Sequence, residues 1–152
     1  NTKDNYKSKI ELNNVMLTNG RIFISSPATV VNIYFSTYMF EYIYEYQYSI
    51  NYPFYIDTIN AGAGFYHTKL VYSKGTWDYP FYMNGNLFMY NTSIINDNKN
   101  KGNYISGHNI SIFNSVFKNY IGVGLFVTIN STDVDKSDFY LVNCMISNND
   151  KY

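Results

Sequence analysis

At 152 residues the chain is long enough for one domain with a real core. Eleven basic and eleven acidic side chains cancel, and charged residues make up only 14 % of the sequence, against roughly 25 % in ordinary soluble domains. That balance excludes the basic footprint of a nucleic-acid-binding protein, and no apolar run reaches the ~18 residues that span a bilayer.

Ile10 opens the first predicted element, a ten-residue pattern of apolar-x-apolar-x-Asn-x-x-apolar-x-Asn that ends at Asn19. The pattern returns from Leu87 to Asn96, Ile110 to Asn119 and Phe139 to Asn148, with degenerate copies beginning at Ile33 and Leu70. Aligned, the first column reads Ile10, Ile33, Leu70, Leu87, Ile110, Phe139 and the second Leu12, Phe35, Tyr72, Met89, Ile112, Leu141. Seven residues after the first stand Leu17, Phe40, Trp77, Ile94, Phe117 and Ile146. Period-2 alternation marks strands with one buried face, and nothing between the copies has a helical period. Copies 23, 37, 17, 23 and 29 residues apart suit one solenoid coil each. Stacked coils would ladder the repeated Asn amides, and Asn tolerates the left-handed backbone of a tight corner. A second strand per coil is predicted at Ile22-Phe23-Ile24, Phe54-Tyr55-Ile56, Phe81-Tyr82-Met83 and Leu125-Phe126-Val127. The predicted fold is all-β, a parallel β-helix of about six coils in a single domain, 1–152. A chain opening Asn1-Thr2-Lys3-Asp4 reads as a piece excised from a larger repetitive secreted protein.

The coil beginning at Ile33 carries an irregular Tyr-rich insertion. Tyr42, Tyr44, Tyr46 and Tyr48 alternate, so an extended backbone would array them on one face, with Tyr52 following. Tyrosine is amphipathic, rigid and enriched at interfaces, which makes these five the candidate partner-binding residues. The competing expectations are that they turn inward and cap the core, or that their aromatic faces form a platform that stacks on sugars.

Other residues offer less chemistry. Glu41 and Asp78 share an outward column in this alignment, ~5 Å apart, near a retaining glycosidase pair. Asp133, Asp135 and Asp138 could offer calcium oxygen ligands, but Lys136 among them favours a solvated turn. His67 has no ligand partner at metal spacing, and Ala61-Gly62-Ala63-Gly64 reads as a turn. Cys144, the one cysteine, excludes an internal disulfide and sits where other copies carry Val15, Thr92 and Ser115. The sequons at Asn91, Asn109 and Asn130 match the roughly three expected by chance from 22 Asn and 23 Ser plus Thr. No catalytic residue, metal site or cofactor is assigned.

Asn114-Ser115-Val116-Phe117-Lys118-Asn119 resembles the apolar-x-apolar-x-Asn-Ser-x-Phe-x-Asn-Asn repeats of the pectin-lyase-like superfamily, and Asn143 to Asn149 is similar. The resemblance implies a right-handed parallel β-helix. That superfamily includes polysaccharide lyases and hydrolases, and Gly107-His108 faintly resembles the hydrolases' Gly-His-Gly stretch. Their aspartate cluster and Arg-x-Lys have no counterpart, since the only arginine is Arg21, so His108 reads as a polar corner residue. In composition the chain resembles Asn/Tyr-rich modules of secreted fungal proteins, including the cohesin modules of cellulosome scaffoldins, which capture dockerins. The expectation is a non-catalytic extracellular module that binds a protein partner of the dockerin kind. The alternatives are a carbohydrate-binding or polysaccharide-degrading β-helix and a purely structural solenoid segment.

Overall fold

A computed structural model describes residues 8–41, 53–73, 79–99, 103–121, 125–129 and 137–148, and every regular element among them is a β-strand. The first repeat supplies β1 (Lys9–Asn13), β2 (Met16–Thr18) and β3 (Ile22–Ser25). The second supplies β4 (Val30–Tyr34), β5 (Thr37–Glu41) and the start of the long β6 (Phe54–Tyr66). Then come β7 (Lys69–Ser73), β8 (Phe81–Tyr90), β9 (Ser93–Lys99), β10 (Asn103–Gly107), β11 (Asn109–Phe113) and β12 (Val116–Ile121). The last are β13 (Leu125–Ile129), β14 (Asp138–Val142) and β15 (Met145–Asn148).

All thirteen pairings among these strands are parallel, and each joins a strand to its counterpart one repeat away. One sheet runs β2-β5-β7-β9-β12-β15. The nine-stranded sheet holds two ladders, because β6 and β8 bend and serve both. Their first halves pair with β3 and β10, their second halves with β4 and β11. Glycine permits the bend: a Cβ on Gly107 would lie 2.1 Å from the carbonyl oxygen of Gly85, itself at φ 133°.

Side chains stack in columns. Ile10, Val31, Ala63, Leu87, Ile110 and Phe139 share one, and Leu12, Ile33, Phe65, Met89, Ile112 and Leu141 the next. Leu17, Tyr38, Leu70, Ile94, Phe117 and Ile146 form a third. Four of the six predicted copies fall in register, and two need correction. Ile33 pairs with Leu12, so its repeat begins at Val31, and Leu70 pairs with Ile94 in the third column, so its repeat begins at Ala63. Both errors arose where the marker asparagine is replaced, by Phe35 and by His67. The same shift removes the carboxylate pair, because Glu41 is opposite Ser73. Asp78 and Trp77 lie outside the described residues. Ala61-Gly62-Ala63-Gly64 is not a turn but part of β6, where Gly62 and Gly64 pair with Asn86 and Phe88.

The corner between the first two strands of each repeat has one construction throughout. Asn14, Phe35, His67, Asn91, Asn114 and Asn143 all adopt left-handed backbone, with φ between 46° and 54°. Asparagine accepts this conformation readily and a bulky side chain does not. Predicted amide laddering is present: Asn143 Nδ2 donates to Asn114 Oδ1 at 2.8 Å, and Asn91 Nδ2 meets His67 Nδ1 at 2.8 Å. Behind each corner residue sits a small side chain: Val15, Ser36, Thr68, Thr92, Ser115 or Cys144. The hydroxyls of Ser36, Thr68, Thr92 and Ser115 donate to the carbonyl two residues earlier, at 2.8–3.1 Å. Ser36 and Ser115 also accept the N–H of Val15 and Thr92 one repeat back, at 3.1 Å. Each buried hydroxyl thus satisfies backbone that the corner would otherwise strand.

Two expectations follow. Phe35 is 58 % exposed and strained, and its ring contacts His67 at 4.9 Å. Relief of the left-handed strain should outweigh the lost stack, so Phe35→Asn should raise stability in urea by about 0.5–1 kcal/mol. Tyr38, 3 % exposed, donates to the Gly20 carbonyl at 2.6 Å, and fully buried Tyr72 lies 5.8 Å away. Burial holds both phenols well above their ordinary 10.0. Only the unfolded chain can release these protons near pH 10, so stability is full below that pH and falls as pH rises past it. The slope should approach ~1.4 kcal/mol per pH unit per tyrosine and be shallower in Tyr38→Phe, read from urea midpoints across the alkaline range.

Candidate functional site

Phe23, Tyr55 and Tyr82, the middle residues of three predicted second strands, and Tyr104 of β10 point away from the core, and all four are aromatic. Phe23 pairs with Tyr55, Tyr55 with Tyr82 and Tyr82 with Tyr104. Parallel pairing places each ring one strand spacing, ~4.8 Å, from the next, which is the distance of face-to-face contact. Centroid separations of 4.7, 4.7 and 5.0 Å and interplanar angles of 12°, 5° and 10° make the four a continuous stack. The guanidinium of Arg21 covers the outer face of Phe23 at 4.7 Å. Tyr79 leans on Tyr104 at 5.2 Å.

A polar row runs beside the stack: Ser25, Asp57 and Asn84. Asp57 accepts from Asn84 Nδ2 at 3.0 Å and from the Tyr55 hydroxyl at 3.3 Å. The result is a stiff strip with ring edges and phenol oxygens outward and ring faces consumed within the stack. Such a strip offers van der Waals and hydrogen-bonding contact at little cost in side-chain entropy.

The neighbouring ladder carries a looser aromatic row. Tyr34 stacks on Tyr66 at 4.8 Å, but Phe88 is tilted 32° to Tyr66 and 42° to Phe113. Between them Gly62 and Gly64 leave a trough.

The predicted contact residues Tyr42, Tyr44, Tyr46, Tyr48 and Tyr52 lie outside the described residues, as do Asp133 and Asp135. The described chain resumes at Pro53, two residues before Tyr55 of the stack. Asp138 is an exposed residue at the start of β14. Among the described residues no three of His, Cys, Asp and Glu gather as a metal site would need. His108 sits at the corner between β10 and β11, as expected, with Nδ1 buried and without a hydrogen-bond partner among the described residues. His67 is a corner residue held between Phe35 and Asn91. Cys144 occupies the hydroxyl position of its corner, with Sγ 3.2 Å from the Val142 carbonyl oxygen. Among the described residues no helix is long and apolar enough to cross a membrane.

Sequence reasoning finds three of the four strands that carry the stack, β3, β6 and β8, and misses β10 and the stack itself. The signal was available: Phe23, Tyr55, Tyr82 and Phe126 are the central residues of the four quoted segments, and Asn103-Tyr104-Ile105 completes the column.

No family model matches the chain, and neither does any curated protein or solved structure.

Removing an inner ring breaks two stacks and removing the terminal one breaks a single stack. Tyr82→Ala should therefore cost about 1–3 kcal/mol and Phe23→Ala about half that, measured by urea unfolding.

Proposed function

We propose that this chain is a right-handed β-helix of six coils, of the pectin-lyase-like kind, serving as a non-catalytic extracellular module that binds a protein partner through its stacked aromatic strip. Six strands in one sheet, joined only to their counterparts in the repeats before and after, support a coil count of six. The strong preference of parallel strand–crossover–strand connections for one hand supports a right-handed path. The observation that carries the binding role is the Phe23–Tyr55–Tyr82–Tyr104 stack. With its ring faces mutually covered, the strip is poorly shaped for stacking on sugar rings. Its flat, rigid, aromatic edge with flanking Asp57 and Asn84 has the composition of a protein hot spot. Its length of about 14 Å, three strand spacings, is that of an interface centre rather than a whole interface. Tyr42, Tyr44, Tyr46, Tyr48 and Tyr52 precede Pro53 in the sequence and are candidates for the same contact. A small module of the dockerin kind, captured by a scaffold-type receptor, is the specific partner this reading favours.

The test immobilises the folded domain and passes secreted proteins of the source organism over it. The captured protein is then purified and titrated against two variants. A single recurring small module, weakened about tenfold or more by Tyr82→Ala, supports the reading. Weakening by Tyr44→Ala/Tyr46→Ala as well would extend the contact into the tyrosine-rich segment. Capture that Tyr82→Ala leaves untouched, or no capture, overturns it.

A further inference from the structure

We propose that the trough over Gly62 and Gly64 is a binding subsite for a neutral sugar ring. It lies on a different ladder from the stacked strip and is independent of it. Its origin is a local exception to the rule that every outward position carries a side chain. In the row Asn32–Gly64–Phe88, and in the row beside it where Gly62 meets Asn86, β6 contributes no side chain. The flanking strands β4 and β8 are two spacings apart, so the gap is roughly 10 Å wide. It is an open depression of about 350 Å³, at the lower end of small-ligand sites of ~300–1,000 Å³.

Both glycines are needed for this shape. A Cβ on Gly62 would lie 2.7 Å from the Asn86 carbonyl oxygen, and one on Gly64 2.7 Å from Tyr66 Cε2 and 2.8 Å from Asn32 Oδ1. Tyr66 therefore leans from the adjacent row over Gly64 and forms one wall. Phe88, 39 % exposed, forms another, and its tilt leaves ring surface open where the stacked strip leaves none.

The lining selects the ligand class. Among the described residues no charged side chain lines the trough, which disfavours phosphates, carboxylates and ammonium groups. Asn32, Asn109 and Ser111 make no side-chain hydrogen bond to other described residues. Asn86 accepts the Asn109 N–H through Oδ1 at 3.0 Å, which leaves its amide nitrogen to donate. Planar amides carrying both donors and acceptors match adjacent hydroxyls, and an aromatic wall matches the C–H face of a pyranose. Neutral hydroxylated rings present both chemistries together.

The experiment uses the full chain made in a bacterial host, so that Asn109, which lies in a sequon at the trough, carries no glycan. Cellohexaose, laminarihexaose, mannohexaose and xylohexaose are titrated by calorimetry, with polygalacturonate as the acidic comparison. At least one neutral oligosaccharide should bind, insensitively to salt, and Phe88→Ala and Asn32→Ala should each weaken it about fivefold or more. Both positions are at least partly exposed, so the variants should fold, which far-UV circular dichroism would verify. Tyr82→Ala should leave sugar affinity unchanged while weakening protein capture about tenfold or more, so the two readings succeed or fail separately. Preference for polygalacturonate, affinity unaltered in Phe88→Ala, or no binding of any neutral oligosaccharide overturns the proposal.

Discussion

Register is the constraint from which the rest of this molecule follows. Parallel, in-register pairing sets every side chain on the one at the same position a repeat away, ~4.8 Å distant, so each residue must tolerate its neighbour's chemistry at contact range. Like charges at that distance repel, while aromatic rings and amides attract. The composition reads as a response. Lys9 faces Val30, Glu11 faces Asn32, Glu41 faces Ser73, and Lys69 sits between Thr37 and Ser93. Asp57 lies between Ser25 and Asn84, and Lys118 between Ile95 and Ser147. No charge in the described pairings stacks on a like charge. A 14 % charged content and an abundance of Asn, Tyr and Phe are what such a lattice admits.

The same constraint made the fold legible from sequence where the columns were chemically marked. Four repeats announce their corner with asparagine because left-handed backbone admits few other residues. Where the corner is Phe35 or His67 the marker disappears, and apolar alternation alone cannot fix register, since a shift of two residues preserves it. That is how Ile33 was aligned one column early. Gly62 and Gly64 concealed a strand for a related reason. Glycine in a strand looks like a turn until its partners, Asn86 and Phe88, are known to require close backbone approach. The aromatic strip was legible in principle but needed the columns of the second strand to be read for their outward member as well as their inward ones.

Two aromatic rows with nearly the same composition have acquired different surface properties. Where every rung carries a ring, as from Phe23 to Tyr104, the rings close on each other and the surface is stiff and flat. Where glycine interrupts the rungs, the rings lose their partners, tilt and open a concavity beside free amides. The missing Cβ atoms of two residues separate a contact surface from a pocket.

The hydroxyl behind each corner also has a mechanical consequence. Ser36 and Ser115 tie their own turn to the one before, while Thr68 and Thr92 donate to carbonyls within their own turns. Among the described repeats that place is taken once by Val15, which has no hydroxyl to give, and once by Cys144, a weak donor. The ties therefore differ in strength: Ser36 and Ser115 each clamp an N–H one turn back at 3.1 Å, whereas Cys144 reaches the Ile112 carbonyl through sulfur at 3.4 Å. A load drawing adjacent turns apart would part the sulfur-tied turn at Cys144 before those clamped by Ser36 and Ser115.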